Sequence, residues 1–462
     1  MRVLLLSPPF VPDYMRNARC DYVGISGTQW PPIWLAYCGA LLEKQGHVVE
    51  LIDAPAERLG HDEVLKRARG FSPDVTVVYA STKSEDNDIQ FSVRLKGETG
   101  CRLVFAGPFV SLDPAGVLRK SEAVDYAVKG EFEHPVLEVV EGCSPDKVGN
   151  LTWRDDGRII QNKVRPLLDT KELDDLPFVT GFYQRHVDMK NYRQPMELHP
   201  LVDLFTGRGC CWGRCTYCLW VHSFIPGSVY NTRSIGNVMD EFAFVLKNMK
   251  DVKEIFIQDD TLPRKRAEEL SKAILENGFD MSWSCYVRGD LDYKTLSLMK
   301  KAGCRTLHVG YESASKTVLK NSKKGLSPER MSKFTEDAKK AGLKIHGDFL
   351  IGLPGETKKT VRETIEWAKR LDPDTAQFSL INIYPNTPLY EYLEQNGFVK
   401  DGEPSYPHLT NEELRMLARK GVREFYLSWR YAQRAFKHPI EYLFPRLRTA
   451  RTTLPYMFWK RW

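Results

Sequence analysis

Short, uninterrupted apolar runs alternate along this chain with longer stretches in which apolar residues recur every three or four positions. Val3–Leu6, Val48–Asp53, Val75–Ala80, Leu103–Ala106 and Tyr126–Val128 read as strands. The first is apolar throughout, as a strand covered on both faces should be. Ile33–Lys44 and Asp62–Arg69 read as helices, and Gly46 suits a left-handed end to the first. This alternation predicts an α/β fold that opens with a doubly wound parallel sheet over 1–142. Such sheets bind ligands outside the carboxyl ends of their strands. Those ends here are Ser7–Pro12, Ser81–Asp88, Ala106–Ser111 and Gly130–Glu133. No Gly-x-Gly-x-x-Gly follows the first strand, so a dinucleotide is not expected.

The texture changes over 143–195. Trp153–Ile160 reads as a hairpin turning at Asp156–Gly157, and the Pro- and Asp-punctuated stretch Asp169–Tyr192 reads as a connector between domains. The alternation then resumes over 196–400, with strands expected at Leu201–Thr206, Glu254–Gln258, Ser282–Tyr286, Thr306–Val309, His346–Ile351 and Ala376–Ile383. Six such units predict a partial (β/α)6 barrel, with its chemistry at the carboxyl ends of the strands. The remaining residues, 401–462, read as a helical segment, without strands from Asn411 onward.

At 42 % apolar and 27 % charged residues, the 462-residue chain has the composition of a globular protein of two to three domains, and disorder is excluded. Ten cysteines are too few for a disulfide scaffold. The chain opens on a strand rather than a leader, so a cytoplasmic location with reduced thiols is expected. The uncharged run Tyr22–Leu42 has the length of a membrane span, but Ser26, Thr28, Gln29 and Pro31–Pro32 argue against one. Charge is concentrated at the end. Arg430–Trp462 holds eight basic residues against Glu441, while the chain as a whole carries +6. The body is therefore near neutral, and nucleic acid is not an expected partner. The tail interleaves its cations with Tyr431, Phe436, Tyr442, Phe444, Tyr456, Phe458, Trp459 and Trp462. Rings and cations in one segment suit a lipid headgroup region. Peripheral contact with the inner membrane surface is one expectation, and a helical cap packed on the barrel is the other.

The densest chemistry is Thr206-Gly-Arg-Gly-Cys-Cys-Trp-Gly-Arg-Cys-Thr-Tyr-Cys-Leu-Trp220. Thiolates this close hold a soft metal or an iron–sulfur cluster. Cys211-x3-Cys215-x2-Cys218 supplies three thiolates, which leaves one iron of a cubane open. A structural zinc would need a fourth ligand, for which His222 is placed.

This loop, with Tyr217 just before the last cysteine, resembles the radical S-adenosylmethionine (SAM) enzymes. The resemblance implies a [4Fe–4S] cluster whose open iron is chelated by SAM, and reductive cleavage of SAM to methionine and a 5′-deoxyadenosyl radical. It also implies an electron donor such as flavodoxin or ferredoxin. Spacing selects Cys211 as first ligand, whereas the Arg-Gly-Cys habit of the family selects Cys210. Other motifs follow in the family's order. Asp259 and Asp260 end the second strand as carboxylates expected to meet cosubstrate or substrate. Arg288 resembles the residue near the SAM carboxylate, with a surface ion pair as the alternative. Glu312 stands where family members bind the ribose hydroxyls. Gly352, Pro354 and Gly355 belong to a segment resembling the one that brackets the adenine.

A flavodoxin-like sheet ahead of such a barrel is similar to the cobalamin-binding class of these enzymes. That likeness rests on Leu4-Leu-Leu-Ser-Pro-Pro9, Pro32-x-Trp34-Leu-Ala36, Glu50-Leu-Ile-Asp53 and Ala106-Gly-Pro108. It implies cobalamin at Ser7, Pro8, Pro9, Ser81 and Gly107. The Asp-x-His-x-x-Gly pattern for an axial histidine is absent, since His47, His61 and His134 have other neighbours. A domain that no longer holds its cofactor is the alternative. Leu176-Pro-Phe-Val-Thr180, Thr206-Gly-Arg-Gly209, Cys218-Leu-Trp220 and Thr232-Arg-Ser234 further resemble a subgroup of hopanoid biosynthesis. This implies radical chemistry on an unactivated carbon of a lipid-like head group. The alternative reaction is methyl or alkyl transfer through cobalamin to another small molecule.

Overall fold

The computed structural model describes residues 1–11, 14–16, 22–23, 28–194, 196–439 and 442. Two sheets organise them. The first has seven strands: β1 (Arg2–Ser7), β2 (Val48–Asp53), β3 (Val75–Tyr79), β4 (Arg102–Ala106), β5 (Tyr126–Val128), β6 (Leu151–Asp155) and β7 (Arg158–Gln161). Their order is β2-β1-β3-β4-β5-β6-β7, parallel through β5 and antiparallel beyond it. The hairpin set in the connector by its sequence thus extends the first sheet, with Ala127 opposite Thr152. The second sheet has six parallel strands in chain order: β8 (Leu201–Leu204), β9 (Glu254–Ile257), β10 (Ser282–Val287), β11 (Cys304–Glu312), β12 (Lys344–Ile351) and β13 (Thr375–Leu380).

The expected partial barrel is this second sheet. Along β12 burial alternates strictly, with Ile345, Phe349 and Ile351 packed under helices and His346, Asp348 and Leu350 on the open inner face. Helices Asn411–Tyr426 and Trp429–Lys437 close the described chain. The rest of the basic, aromatic tail, Ile440–Glu441 and Leu443–Trp462, lies outside the described residues.

Helix Ile33–Lys44 joins the halves. Every residue from Ile33 to Leu42 is buried, because a helix apolar on all sides must be covered on all sides. One face meets Leu5 and Val77 of the first sheet, and the other joins Phe205, Trp220 and Phe224 in the same cluster. Ile33–Leu42, the second half of the long uncharged run, is therefore the seam between the sheets, and no helix among the described residues is long and apolar enough to cross a membrane.

Gly39 lies where this helix is tightest. A Cβ there would stand 2.5 Å from the Phe182 ring and 2.7 Å from Leu5. Alanine for glycine ordinarily stabilises a helix by about 1 kcal/mol, but overpacking costs about 1–3 kcal/mol. Gly39→Ala should lower the Tm. Gly97→Ala, in helix Glu85–Thr99 with nothing within 4 Å of the added carbon, should raise it. Calorimetry of the two variants checks the pair.

Candidate functional site

The cysteine loop leaves β8 along a two-residue ladder, Gly207–Arg208 against Asn231–Thr232. Its base is fixed by Asp259, whose buried carboxylate has every lone pair in use. Thr206 N–H (2.7 Å) and Gly207 N–H (3.1 Å) donate to Oδ1, while the Thr206 hydroxyl (2.5 Å) and Tyr230 hydroxyl (2.6 Å) donate to Oδ2. Asp259 is 1 % exposed, so its expected meeting with cosubstrate or substrate is corrected: it anchors the loop. Asp260, next along the chain, is half-buried.

Within the loop, close backbone approach is required at Gly213 (φ +58°), where a Cβ would stand 2.2 Å from the Gly227 carbonyl oxygen. Trp212 packs onto Gly325 and donates from its ring nitrogen to the Lys323 carbonyl at 2.8 Å. Cys211 is exposed, and Cys210, Cys215 and Cys218 are half-buried. Burial pushes the Cys211 thiol up, with Cys210 adding to it and Arg288 opposing. Burial also pushes Cys215 up, against the pull of Lys324, Tyr217 and Arg288. Arg288 is thus a neighbour common to Cys211 and Cys215. Among the described residues no three His, Cys, Asp or Glu side chains stand at metal-ligand spacing. The donor set on the loop is nonetheless thiol only, beside two cations, which suits a thiolate-held cluster. His222 Nε2 bonds the Cys215 carbonyl at 3.0 Å, so only its Nδ1 is left for a metal.

Glu312 and Tyr217 meet around a residue that the sequence reading did not single out. Glu312 ends β11 at φ +62°. Its Oε1 accepts from Lys324 Nζ at 2.7 Å and from the Tyr217 hydroxyl at 3.0 Å. Burial disfavours the Lys324 charge, but Glu312 and then Cys215 outweigh it and hold the amine above its ordinary value. Lys324 therefore stands between the carboxylate and the thiol loop. Its sequence, Asn-Ser-Lys-Lys-Gly, reads as a solvated turn, and only the tertiary fold turns one lysine inward. Arg288 is more than a surface ion pair. It lies 3.6 Å from Asp290, donates to the Lys324 carbonyl at 3.0 Å, and sits 4.5 Å over the Trp212 ring.

The inner face of the second sheet is apolar and aromatic at Leu201, Phe256 and Tyr286, which pack with Trp30, and polar further along. His346 approaches Asp348 at 3.3 Å, with side chains 19 % and 33 % exposed. Burial opposes the Asp348 charge, but His346, His308 and Lys324 hold its carboxyl below the usual range. His308 pairs with Glu197 at 2.7 Å, and Gln377 donates to Ser379 at 2.8 Å.

The residues expected for cobalamin do gather at the carboxyl end of the first sheet. Ser7 ends β1 and is buried. The Pro8 carbonyl accepts from Arg16 at 2.7 Å and the Pro9 carbonyl from Asn87 at 2.8 Å. Ser81 bonds Tyr14 and Ser84, each at 2.7 Å. Gly107 turns at φ +116° against the Tyr79 ring. The hub of this end is the buried pair Arg16–Asp88 at 2.6 Å, which no motif announced.

Gly352 (φ +101°) and Gly355 (φ +89°) flank Pro354, whose carbonyl accepts from Asn321 at 3.1 Å. Glu356 braces this turn. One of its oxygens accepts from the Gly352 N–H, and the other is buried without a partner among the described residues.

The halves also correspond to known families. The model of the Radical SAM superfamily matches residues 205–368, and that of the B12 binding domain matches residues 19–140. The chain is a radical SAM enzyme carrying a B12 binding domain ahead of its radical SAM domain. It belongs to the same family as an uncharacterised methyltransferase of Pyrococcus horikoshii, to which it is 31 % identical over 445 residues, covering 92 % of this chain and 93 % of the relative. It is also 26 % identical to the cytidylyl-2-hydroxyethylphosphonate methyltransferase of Streptomyces wedmorensis, over 92 % of this chain and 90 % of that one. Two solved structures share the fold. The radical SAM methyltransferase TsrM of Kitasatospora setae, with tryptophan substrate and a SAM analogue bound, superposes at a TM-score of 0.68 with 20 % identity, over 93 % of this chain and 84 % of that one. The cobalamin-dependent radical SAM enzyme OxsB superposes at 0.71 with 13 % identity, over 98 % and 72 %.

Burial pushes the Glu356 carboxyl up to about 8 from an ordinary 4.5. The unfolded chain ionises near 4.5 while the fold keeps the proton. Stability from this group is thus fully present below pH 4.5 and lost as the pH rises toward 8, by up to about 1.4 kcal/mol per pH unit. Glu356→Gln copies the protonated acid. It should leave the Tm unchanged near pH 5 and raise it at pH 8; an equal effect at both would show that Glu356 is already ionised.

Proposed function

We propose that this protein is a cobalamin-dependent radical SAM methyltransferase acting on a carbon of a small polar molecule. The observation that carries this reading is the convergence on one loop. Lys324 links Glu312 and Tyr217 to Cys215 on one side, and the loop's flanks pack against the first sheet's half on the other. Cys215 and Cys218 would hold the cluster, with Cys211 as the first ligand that the spacing selects. Glu312, oriented by Lys324 and Tyr217, would take the SAM ribose, and Arg288 its carboxylate. Gly352, Pro354 and Gly355 would leave room for the adenine, and Asp260 would face the substrate. Ser7, Pro8, Pro9, Ser81 and Gly107 would receive cobalamin. When bound, the cluster supplies the electron that cleaves SAM and cobalamin supplies a methyl carrier. Flavodoxin or ferredoxin is the expected electron source.

The methyltransferases among the relatives favour methyl transfer over rearrangement of a hopanoid head group. The partly exposed pair His346–Asp348 on the inner face favours a substrate with polar groups. The test is product analysis of the anaerobically reconstituted enzyme. S-adenosylhomocysteine and 5′-deoxyadenosine should appear together when cobalamin is present, whereas 5′-deoxyadenosine alone would overturn methyl transfer. Alanine at Cys211, Cys215 or Cys218 should abolish cluster iron, and Cys210→Ala should keep it; iron analysis of the four variants decides the ligand set.

One observation keeps a lipid-facing reading in play. Leu427, Trp429 and Phe436 are 63 %, 74 % and 78 % exposed, beside exposed Arg430 and Lys437. Apolar and basic groups on one face suit an anionic lipid surface, where each cation contributes about 1 kcal/mol. Trp429→Ser with Phe436→Ser should weaken salt-sensitive sedimentation with phosphatidylserine vesicles at unchanged iron content. Equal sedimentation of variant and parent, or none by either, would remove this reading.

A further inference from the structure

Cluster chemistry and methyl transfer call on opposite halves of the chain, so something must set their spacing. Arg208, two residues ahead of Cys210, is buried in the seam between them. Its Nη1 donates to Glu131 at 2.8 Å and its Nη2 to Glu133 at 2.7 Å. Both carboxylates follow β5, at the carboxyl end of the first sheet. Glu133 opens helix Glu133–Val140, and Glu131 also accepts from the Leu168 N–H at 2.9 Å. The guanidinium lies 4.5 Å from the Trp34 ring centre, 5.1 Å from Tyr37 and 5.3 Å from Phe205. Past the cysteines, Trp34 stacks on Trp220 at 5.7 Å and meets Phe224 edge-on at 4.6 Å. Gly130, just before Glu131, approaches so closely that a Cβ would stand 3.2 Å from the Phe224 carbonyl oxygen.

An apolar side chain at 208 would fill this aromatic surround without the cost of taking a guanidinium out of water. What it would not provide is direction. Apolar surfaces slide past one another, whereas two ion pairs to separate carboxylates and three flanking rings admit one placement of a planar fork.

We propose that Arg208 is the positioning residue that fixes the cysteine loop against the carboxyl-end loops of the first sheet, and so fixes the cluster relative to cobalamin. This inference rests on the methyl-transfer reading above. Without Arg208 the thiols still assemble a cluster and SAM is still cleaved reductively. Methyl transfer suffers, since a displacement of about 1 Å can cost about 10²-fold in rate.

The test uses full-length holoenzyme, cluster and cobalamin loaded, carrying Arg208→Lys or Glu133→Gln. The first keeps the charge but loses the fork, and the second keeps Arg208 with one partner. Iron content should match the parent. Pulsed electron paramagnetic resonance should show a weakened or broadened magnetic interaction between the reduced cluster and Co(II). The single-turnover ratio of S-adenosylhomocysteine to 5′-deoxyadenosine should fall by about 10²-fold in Arg208→Lys. Parental ratio and interaction in both variants would overturn the proposal. So would loss of iron in both, which would make Arg208 a structural residue only. If the parent itself forms no S-adenosylhomocysteine, methyl transfer fails as the reading, and the magnetic measurement still decides whether Arg208 sets the spacing.

Discussion

A helix that is apolar on every side has to be covered on every side, and helix Ile33–Lys44 is covered by both halves of this protein at once. Burying ten consecutive residues, two of them aromatic, withdraws several hundred Å² of apolar surface from water at roughly 25 cal/mol per Å². The two sheets therefore share one core instead of meeting through a thin, wet domain interface. With that core in place, the carboxyl-end loops of the first sheet and the cysteine loop of the second half stand against each other. The polar contacts across the seam then refine a placement that apolar burial has already made.

Carboxylates do most of that refining, although Glu133 keeps one oxygen buried without a partner among the described residues. Asp259 takes two backbone amides and two hydroxyls, Glu312 a lysine and a tyrosine, and Glu131 and Glu133 a shared arginine. Leaving one such group buried and unmet costs about 1–3 kcal/mol. The loop bearing the thiols is thereby held at its base, its middle and its exit by partners from different elements.

The strands of both sheets were legible because parallel strands covered on two faces read as apolar runs, and the second half's alternation gave all six of its strands. The hairpin was legible as a hairpin but not as an edge of the first sheet, since pairing between β5 and β6 depends on contacts that no local pattern encodes. At the candidate site, spacing and order brought out the cysteines, Tyr217 and Glu312 as expectations. Lys324 and Arg16 were invisible because a lysine in a Lys-Lys-Gly turn and an arginine beside a short strand look solvated until the fold encloses them. Asp259 was found and misread. A strand-end carboxylate looks alike in sequence whether it faces ligand or the backbone of its own loop.

The shared helix also sets a schedule for synthesis. Its last buried residue is Leu42, yet the partners that cover its second face, Phe205, Trp220 and Phe224, are made more than a hundred and fifty residues later. At translation rates of about 5–20 residues per second, roughly 10–40 seconds pass with that face lacking its final cover. During this interval the nascent chain presents a long apolar stripe to its surroundings. The yield of folded protein should therefore depend on how well the cell shields that stripe, and a fragment ending before residue 205 would carry the exposure permanently.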